Sequence, residues 1–352
     1  MASPVADSYG CASGGVIAAG KVYWPAWRRA MAVGTWANPG SNTLGDLDPK
    51  LDPLVNPNYP GDAPWKGITG QVSVVSAWSG AAWDEATRSL YITGGGHGDY
   101  AGNEVYKWDA LTGAFARINK PSGAIGNTGT LNDGNDATNP CYFDGKPRSA
   151  HNYGNLQMVA GEFWNFQGSN YANGFGVRSA FKLVGSEFVR QTTRTFGASY
   201  GMTIWDSARS RFLLISSGNG QPQWWKPSDD TLGQMAHWTN NDQQEAFGVY
   251  DSRRDIVLQF SRYVTCFKCD DTADAATITA SGTPPNWVTY TALGYPSRSS
   301  VVYDYANDRY LVWGNGASIY ILTPPTVGQN PLAATWVWSQ IDPAVGNPVT
   351  PT

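Results

Sequence analysis

Four copies of one phrase constrain the fold of this chain more than any other feature. Each copy is an apolar strand that ends in an aromatic residue and Asp, then a short polar turn, then a second apolar strand. The copies are GAAWDEATRSLYITGG from Gly80, MTIWDSARSRFLLISSG from Met202, FGVYDSRRDIVLQFS from Phe247 and SVVYDYANDRYLVWGNG from Ser300. A short acidic side chain in this position bonds the turn backbone, so the phrases predict antiparallel hairpins with Asx-type turns.

Each phrase also carries an arginine shortly after its aspartate. We predict that the two charges pair and stabilise the turn, because they lie across a tight connection. The pairs are Asp84 with Arg88, Asp206 with Arg211, Asp251 with Arg254, and Asp304 with Arg309.

The spacing of the copies predicts the architecture. The aspartates are 122, 45 and 53 residues apart, and a degenerate copy, HNYGNLQMVAGEFWNFQGS from His151, lies inside the first interval. A further strand pair follows each copy, which gives about four strands per repeat, as in β-propeller blades. A β-sandwich is the alternative, but a sandwich does not repeat its sequence. Five blades are visible, and β-like runs at 15–18 and 21–24 supply a sixth or close the ring. We therefore predict an all-β chain, with one propeller of about six four-stranded blades over residues 70–352.

Residues 1–69 form a separate N-terminal segment in this prediction. Within it, residues 36–69 hold six prolines and many Asn, Asp and Gly residues. Proline fixes φ and removes a backbone donor, so this stretch is not a regular strand or helix. We expect a long surface arm that contacts a neighbouring subunit.

Composition limits the classes of partner that this chain is expected to bind. The net charge is −4 and no basic run occurs, which argues against nucleic acid as a partner. No apolar stretch has the length of a transmembrane helix, and the N-terminus lacks the basic and apolar segments of a secretion signal. Charged residues make up 15% of the chain and aromatic residues 13%. We expect aromatic rings at the surface, where they suit contact with sugars or other proteins.

Four cysteines, Cys11, Cys141, Cys266 and Cys269, are too few for a disulfide scaffold. The last two form a CxxC inside YVTCFKC, which reads as a strand. On a straight strand, residues three apart face opposite sides and are too distant to bridge. Free buried thiols are the favoured interpretation, and a local turn disulfide or a metal site are the alternatives.

Strand parity, that is, the alternating direction of successive strands in a blade, places two histidines on one face. His97 lies in the loop between the second and third strands of its repeat, and His151 begins the first strand of the next repeat. Both positions fall at the same end of adjacent blades. The candidate ligand-binding residues are His97, Asp99, Tyr100, Asn103, Arg148, His151, Trp224, Trp225 and His237. The alternative for His97 and Asn103 is that they bond loop backbone and hold the blade junction.

Catalytic and metal signals are sparse. No nucleophile motif occurs, and no pair of carboxylates can be placed at catalytic separation. The run NDGNDATN offers Asp133, Asn135 and Asp136 as calcium ligands, without the glutamate or the spacing of an EF-hand. We therefore predict no cofactor, with calcium as the exception to be tested.

The repeats resemble kelch and galactose-oxidase-type propellers over roughly residues 70–342. The matching features are a strand ending at Gly94-Gly95, the aromatic strand VYKWD, and a fourth strand after a Thr-Gly turn. WSGAAWD, GGGHGDYAGNEVY and DGKPRSAHNY further resemble kelch-like proteins encoded by tailed phages and prophages. The copper-radical chemistry of the oxidases does not carry over, because only three histidines are present and none lies in a Tyr-His pair of that type.

The phage resemblance implies a non-enzymatic virion protein, either tail-associated or head-decorating, that is assembled in the host cytoplasm. Its expected partners are other virion subunits and a glycan or protein of the host surface, with no membrane insertion. The alternative is a carbohydrate-active or redox enzyme, or a lectin, on the same fold and outside a bacterial cell.

Overall fold

A computed structural model describes residues 16–18, 21–23, 38–123, 139–171, 178–196, 201–216, 222–235, 247–260, 263–270, 274–285, 299–314 and 318–342. The chain divides into two compact units. One unit is Gly40–Thr203 with Pro227–Thr231, and the other is Met1–Pro39, Ile204–Lys226 and Leu232–Thr352.

Strands dominate the described residues, with one four-residue helix, α1 (Ser73–Ser76), and two 3₁₀ turns, Gly45–Leu47 and Pro49–Leu51. Near the N-terminus, β1 (Val16–Ala18) and β2 (Lys21–Tyr23) pair only with each other within the described part of the chain. No helix there is long and apolar enough to cross a membrane.

The first and second blades belong to the first unit. The first blade has the order β3 (Ala82–Asp84), β4 (Ser89–Thr93), β5 (Val105–Asp109), β6 (Ala114–Arg117). Between the blades, β7 (Ala150–His151) pairs with β10 (Ser169–Asn170). The second blade contains β8 (Leu156–Val159), β9 (Glu162–Asn165), β11 (Phe181–Val184) and β12 (Glu187–Arg190). Apolar side chains of both blades share one core cluster, which includes Val105, Leu156 and Phe181.

The third blade spans the boundary of the two units and the last two lie in the second unit. The third has the order β13 (Gly201–Asp206), β14 (Arg211–Ser216), β15 (Gln223–Lys226), β16 (Thr231–Gln234). The fourth has the order β17 (Phe247–Asp251), β18 (Ile256–Phe260), β19 (Val264–Lys268), β20 (Ala275–Thr277). The fifth has β22 (Ser299–Asp304), β23 (Arg309–Gly314), β24 (Ile319–Thr323) and β25 (Thr335–Ile341), and β21 (Thr279–Ser281) adds to it, parallel to β25.

The described residues therefore form five blades of the β-propeller type, and the expected number of six is wrong. The N-terminal runs have strand-like composition, but β1 and β2 are three residues each and make a lone hairpin. A blade needs four strands, and these two join no other sheet in the described part of the chain.

The aspartate turns form as the repeated phrase predicts. The Asp251 carboxylate accepts the backbone N–H groups of Arg253 and Arg254 at 2.8 and 3.2 Å. The expected ion pair is present in three of the four phrases, at 3.0 Å for Arg211 Nε, 2.8 Å for Arg254 Nη1 and 2.8 Å for Arg309 Nε.

The arginines also link successive turns, which the sequence did not suggest. Arg209 reaches from the third-blade turn to Asp255 in the fourth, with 2.5 Å between Nη2 and Oδ2. Arg254 reaches from the fourth-blade turn to Asp308 in the fifth, at 2.7 Å. Asp255 and Asp308 both have positive φ, 53° and 51°, and the carboxylate of each meets an arginine of the preceding blade's turn.

The proline-rich stretch packs on the first blade. Leu44 and Trp65 share a core cluster with Ile92, Tyr100 and Tyr106 of the blade and its loop. The side chain of Asn42 bonds both the N–H and the C=O of Phe115, at 2.7 and 2.9 Å. Residues 40–69 thus cover the outer strand of the blade, and they do so with bends and 3₁₀ turns because of their prolines.

Candidate functional site

Three glycines bring the two predicted histidines together. Gly94 and Gly95 have φ of 113° and 90°, in the region that favours glycine. A Cβ on Gly96 would lie 2.3 Å from the carbonyl oxygen of Ser149, so no other residue fits against the facing backbone. Gly95 N–H donates to the carbonyl of Ala150 at 3.0 Å, which fixes the loop after β4 beside β7.

His97 follows this glycine run directly and has a positive φ of 69°. Its ring centroid lies 5.4 Å from that of His151. The strand-parity argument expects this proximity, because it places the two residues at the same end of adjacent blades. His97 is exposed, whereas the side chain of His151 is 4% exposed.

Asp99 holds the buried histidine in place. Its Oδ2 lies 2.8 Å from His151 Nε2, and its Oδ1 accepts the hydroxyl of Thr69 at 2.9 Å. The backbone carbonyl of Asp99 accepts the N–H groups of Thr69 and Gly70. The orientation of the imidazole is therefore set by a carboxylate that is itself held from both ends.

Two aromatic residues complete the group. The Trp78 ring lies 4.8 Å from that of His151, and the Tyr153 ring meets His151 edge-on at 6.2 Å. Trp78 remains 47% exposed although it contacts a buried imidazole. We call His97, Asp99, His151, Trp78 and Tyr153 the His97 surface.

Burial lowers the pKa of His151, and the nearby His97 adds to this, while the bond to Asp99 opposes it. The imidazole is therefore neutral at neutral pH, and Nε2 donates its hydrogen to the carboxylate. The His97 surface thus presents the exposed imidazole of His97 and the indole face of Trp78, supported from behind by the Asp99–His151 pair. Such groups bind hydroxyl-rich ligands, and an imidazole held by a carboxylate is also the arrangement of a general base.

Three other predicted residues of the first unit serve the scaffold. Asn103 is 3% exposed, and its amide bonds Ser122 twice and the carbonyl of Pro147 once, each at 2.8 Å. Tyr100 is 2% exposed and donates to Glu104 at 2.9 Å. Arg148 is 1% exposed, with its guanidinium 5.9 Å from the Tyr142 ring. The structural alternative therefore describes Asn103, whereas His97 lies at the surface.

The remaining predicted residues are elsewhere or outside the described part of the chain. Trp225 is fully buried and stacks on Phe212, whereas Trp224 is half-buried beneath the Arg211 guanidinium, both in the third blade. His237 and the calcium candidates Asp133, Asn135 and Asp136 lie outside the described residues. Within the described ranges, no group of three or more His, Cys, Asp or Glu side chains is placed to hold a metal.

The thiols match the favoured interpretation of the cysteines. Cys141, Cys266 and Cys269 are free and buried, and burial raises the pKa of the Cys266 thiol to about 12. Cys11 is outside the described residues.

Sequence reasoning missed Trp78 and Tyr153. Trp78 belongs to the WSG that leads into the first aspartate phrase, and this WSG is the signal in the sequence that could have drawn attention to it. Tyr153 N–H donates to the Trp78 carbonyl at 2.8 Å, which joins the two segments. It also missed Glu104, which is 1% exposed and accepts hydroxyls from Tyr100 and Tyr106 at 2.9 and 2.6 Å. Burial raises the pKa of this carboxyl.

Comparisons with known proteins give distant structural likenesses. No protein-family model and no curated protein sequence matches the chain. It is similar to the crystal structure of the major Malassezia sympodialis allergen Mala s 1, with 10% identity, a TM-score of 0.45, and coverage of 75% of this chain and 78% of that one. A protein from Lactobacillus plantarum has 12% identity and a TM-score of 0.42, with 74% and 69% covered. An auxiliary nutrient binding protein from Bacteroides ovatus has 9% identity and a TM-score of 0.40, with 75% and 56% covered. These comparisons identify neither kelch repeats nor a phage protein.

Proposed function

We propose that this chain is a non-enzymatic adhesin of a tailed-phage particle, and that its His97 surface binds a glycan of the host. One observation carries the glycan proposal: the half-exposed indole of Trp78 lies against the imidazole of His151, which Asp99 holds at 2.8 Å. An exposed indole fixed beside polar groups suits the apolar face and the hydroxyls of a sugar.

The surroundings of this indole support a binding surface. Ile68 is 93% exposed, and its N–H donates to the carbonyl of Gly98, next to His97. Val72, directly before α1, and Val75, within it, are 53% and 51% exposed. A polar centre with apolar residues at its edge favours contact with a partner over simple hydration.

The virion part of the proposal rests on the resemblance of the repeats to kelch-like phage proteins. On a particle, many copies of a weak site give an avidity far above the affinity of one site. Each chain therefore needs only modest affinity for its glycan.

A glycan array tests the binding surface. We expect wild-type protein to bind a set of bacterial surface glycans and Trp78→Ala to lose that binding. Trp83→Ala is the matched control, because Trp83 is 41% exposed in β3 of the same blade and bonds Glu85 instead of the His97 surface. Binding that survives Trp78→Ala, or equal loss in both variants, contradicts the proposal.

Mass spectrometry of purified particles tests the virion part, and absence of the chain from particles refutes it.

The second candidate is a carbohydrate-active enzyme, which the Asp99–His151 pair favours. A neutral imidazole oriented by a carboxylate can accept a proton from a substrate hydroxyl. Release of reducing sugar from the glycans that the array selects, abolished by His151→Gln, would favour this candidate over a pure adhesin.

A further inference from the structure

A cavity lies between the proline-rich stretch and the first two blades, within the first unit. It has a volume of about 600 Å³. Trp65 and Val55 of the proline-rich stretch line one side, and Arg117, Asn119 and Lys120 line another. This volume is in the range of small-molecule sites. The His97 surface contributes no residue to it.

Most of the charged groups in this cavity neutralise one another. Arg117 Nη2 lies 2.6 Å from Asp52 Oδ2, and the same guanidinium donates to the carbonyl of Leu47 at 2.8 Å. Lys146 Nζ lies 2.7 Å from Glu187 Oε2. These pairs fix the walls and leave little net charge on them.

Two hydrogen-bond donors in the cavity wall do not pair with a carboxylate. Lys120 forms no ion pair with a carboxylate in the described ranges, and its Nζ only reaches the carbonyl of Leu54 at 3.4 Å. Asn119 is 7% exposed, and its Oδ1 accepts the N–H of Val105 at 2.7 Å. Its Nδ2 has no acceptor among the residues that the structure describes. A buried amide donor without an acceptor is costly, and a ligand oxygen would relieve that cost.

The acceptors of the cavity complement a ligand with hydroxyl groups. Asp144 accepts the hydroxyl of Ser122 at 3.1 Å and the N–H of Lys146 at 3.1 Å, and its side chain is 23% exposed. Glu187 is 57% exposed beyond its contact with Lys146. Both carboxylates therefore keep lone pairs for a ligand hydroxyl, while the ammonium of Lys120, which pairs with no carboxylate in the described ranges, suits an anionic group of the ligand.

We propose that this cavity binds a sugar acid, that is, a small polyhydroxylated molecule that bears a carboxylate. The ligand carboxylate pairs with Lys120 and accepts from Asn119, and the ligand hydroxyls donate to Asp144 and Glu187. The Trp65 side chain provides an apolar wall, held by the bond from its Nε1 to the carbonyl of Ser122 at 2.8 Å. The proposal is independent of the His97 surface and of the virion.

Isothermal titration of the full chain with glucuronic acid and N-acetylneuraminic acid tests this site. Glucose is the neutral probe and acetate is the bare anion. We expect at least one sugar acid to bind more tightly than glucose and acetate. Lys120→Gln should weaken binding about tenfold, the usual effect of losing one bond to a charged group. Asn119→Asp keeps the acceptor for Val105 N–H but replaces the donor, so it should weaken binding at least as much.

Lys226→Gln, at the end of β15 in the other unit, is the matched control and should leave binding unchanged. Trp78→Ala should also leave it unchanged, which separates this site from the proposed glycan surface. If Asn119→Asp does not fold, Lys120→Gln decides alone, because Lys120 is exposed and its side chain makes only the long contact with the Leu54 carbonyl in the described ranges. The proposal is refuted if folded wild-type protein binds neither sugar acid, if glucose or acetate binds as tightly, or if Lys120→Gln binds like wild type.

Discussion

Arg254 links two turns of the last two blades, and its removal should be among the most damaging single changes in the chain. Its side chain is 3% exposed. Nη1 donates to Asp251 at 2.8 Å, both terminal nitrogens donate to Asp308 at 2.7 Å, and Nε donates to the carbonyl of Pro325 at 2.9 Å. Arg254→Met keeps the length of the stem and removes all of these bonds.

The magnitude follows from what the substitution leaves behind. The Asp251 side chain is 0% exposed, and without Arg254 it keeps only neutral donors such as the hydroxyl of Tyr310 at 2.6 Å. Breaking a buried ion pair by removing one partner costs about 3–5 kcal/mol. We therefore expect Arg254→Met to lower the free energy of unfolding by that amount.

Arg253→Met is the matched control, one residue away in the same turn. Arg253 is 26% exposed, lies 3.8 Å from Asp308, stacks 4.1 Å above the Tyr305 ring and donates to the Tyr305 carbonyl at 2.7 Å. Its removal leaves no buried charge unpaired, and exposed pairs, cation–π contacts and single hydrogen bonds contribute about 1 kcal/mol each, so we expect a smaller loss than for Arg254→Met. Urea unfolding at pH 7, followed by tryptophan fluorescence, measures both variants. Equal losses, or a loss below about 1 kcal/mol for Arg254→Met, would refute the reasoning.

The ion pair between Arg254 and Asp308 also makes the stability of the protein depend on pH. Hydrogen bonds from Arg254 lower the pKa of Asp308 below its usual value. A carboxyl with a lowered folded pKa contributes stability above its unfolded pKa, and this contribution is lost as the pH falls through the folded pKa. Wild-type protein should therefore lose more stability than Arg254→Met between neutral pH and pH about 3.

Three further predictions concern the His97 loop and the thiols. Gly96→Ala should cost about 2 kcal/mol in urea unfolding, because its Cβ meets a facing carbonyl at 2.3 Å, whereas Gly98→Ala, with nothing within 4 Å, should cost far less. Asp99→Asn should lower the pKa of His151 further, since the carboxylate raises it, and an NMR titration in which that pKa rises would contradict this. Cys266 should resist Ellman's reagent at pH 8 until the chain unfolds, because burial raises its pKa to about 12; rapid labelling of the folded chain at this residue would be the opposite result.

Sequence reasoning reached the blades because the Asp-turn chemistry is local. An aspartate that caps a tight turn leaves the same mark in each copy, so Asp84, Asp206, Asp251 and Asp304 located four hairpins correctly. The number of blades depends on which strands pair, and short runs such as Val16–Ala18 and Lys21–Tyr23 carry no mark of their partner. That is why six blades were expected where five are described.

The candidate site, like the blades, could be predicted from the sequence only in part. Strand parity placed His97 and His151 at the same end of adjacent blades, and their rings lie 5.4 Å apart. His151 lies in β7, however, and not in the first strand of the second blade as the sequence suggested. Parity does not report burial, so Asn103 and Tyr100 were included although they hold the scaffold. Trp78 was missed because an exposed tryptophan outside a strand follows no periodic pattern.

The central claim is that the His97 surface binds a host glycan, and imidazole NMR tests it most directly. The chain has only three histidines, so long-range ¹H–¹⁵N spectra resolve each ring. A glycan selected on the array should shift the His97 signals on titration, while His151 keeps the spectrum of a neutral imidazole with hydrogen on Nε2. Saturating glycan that leaves the His97 and His151 signals unchanged would contradict the claim.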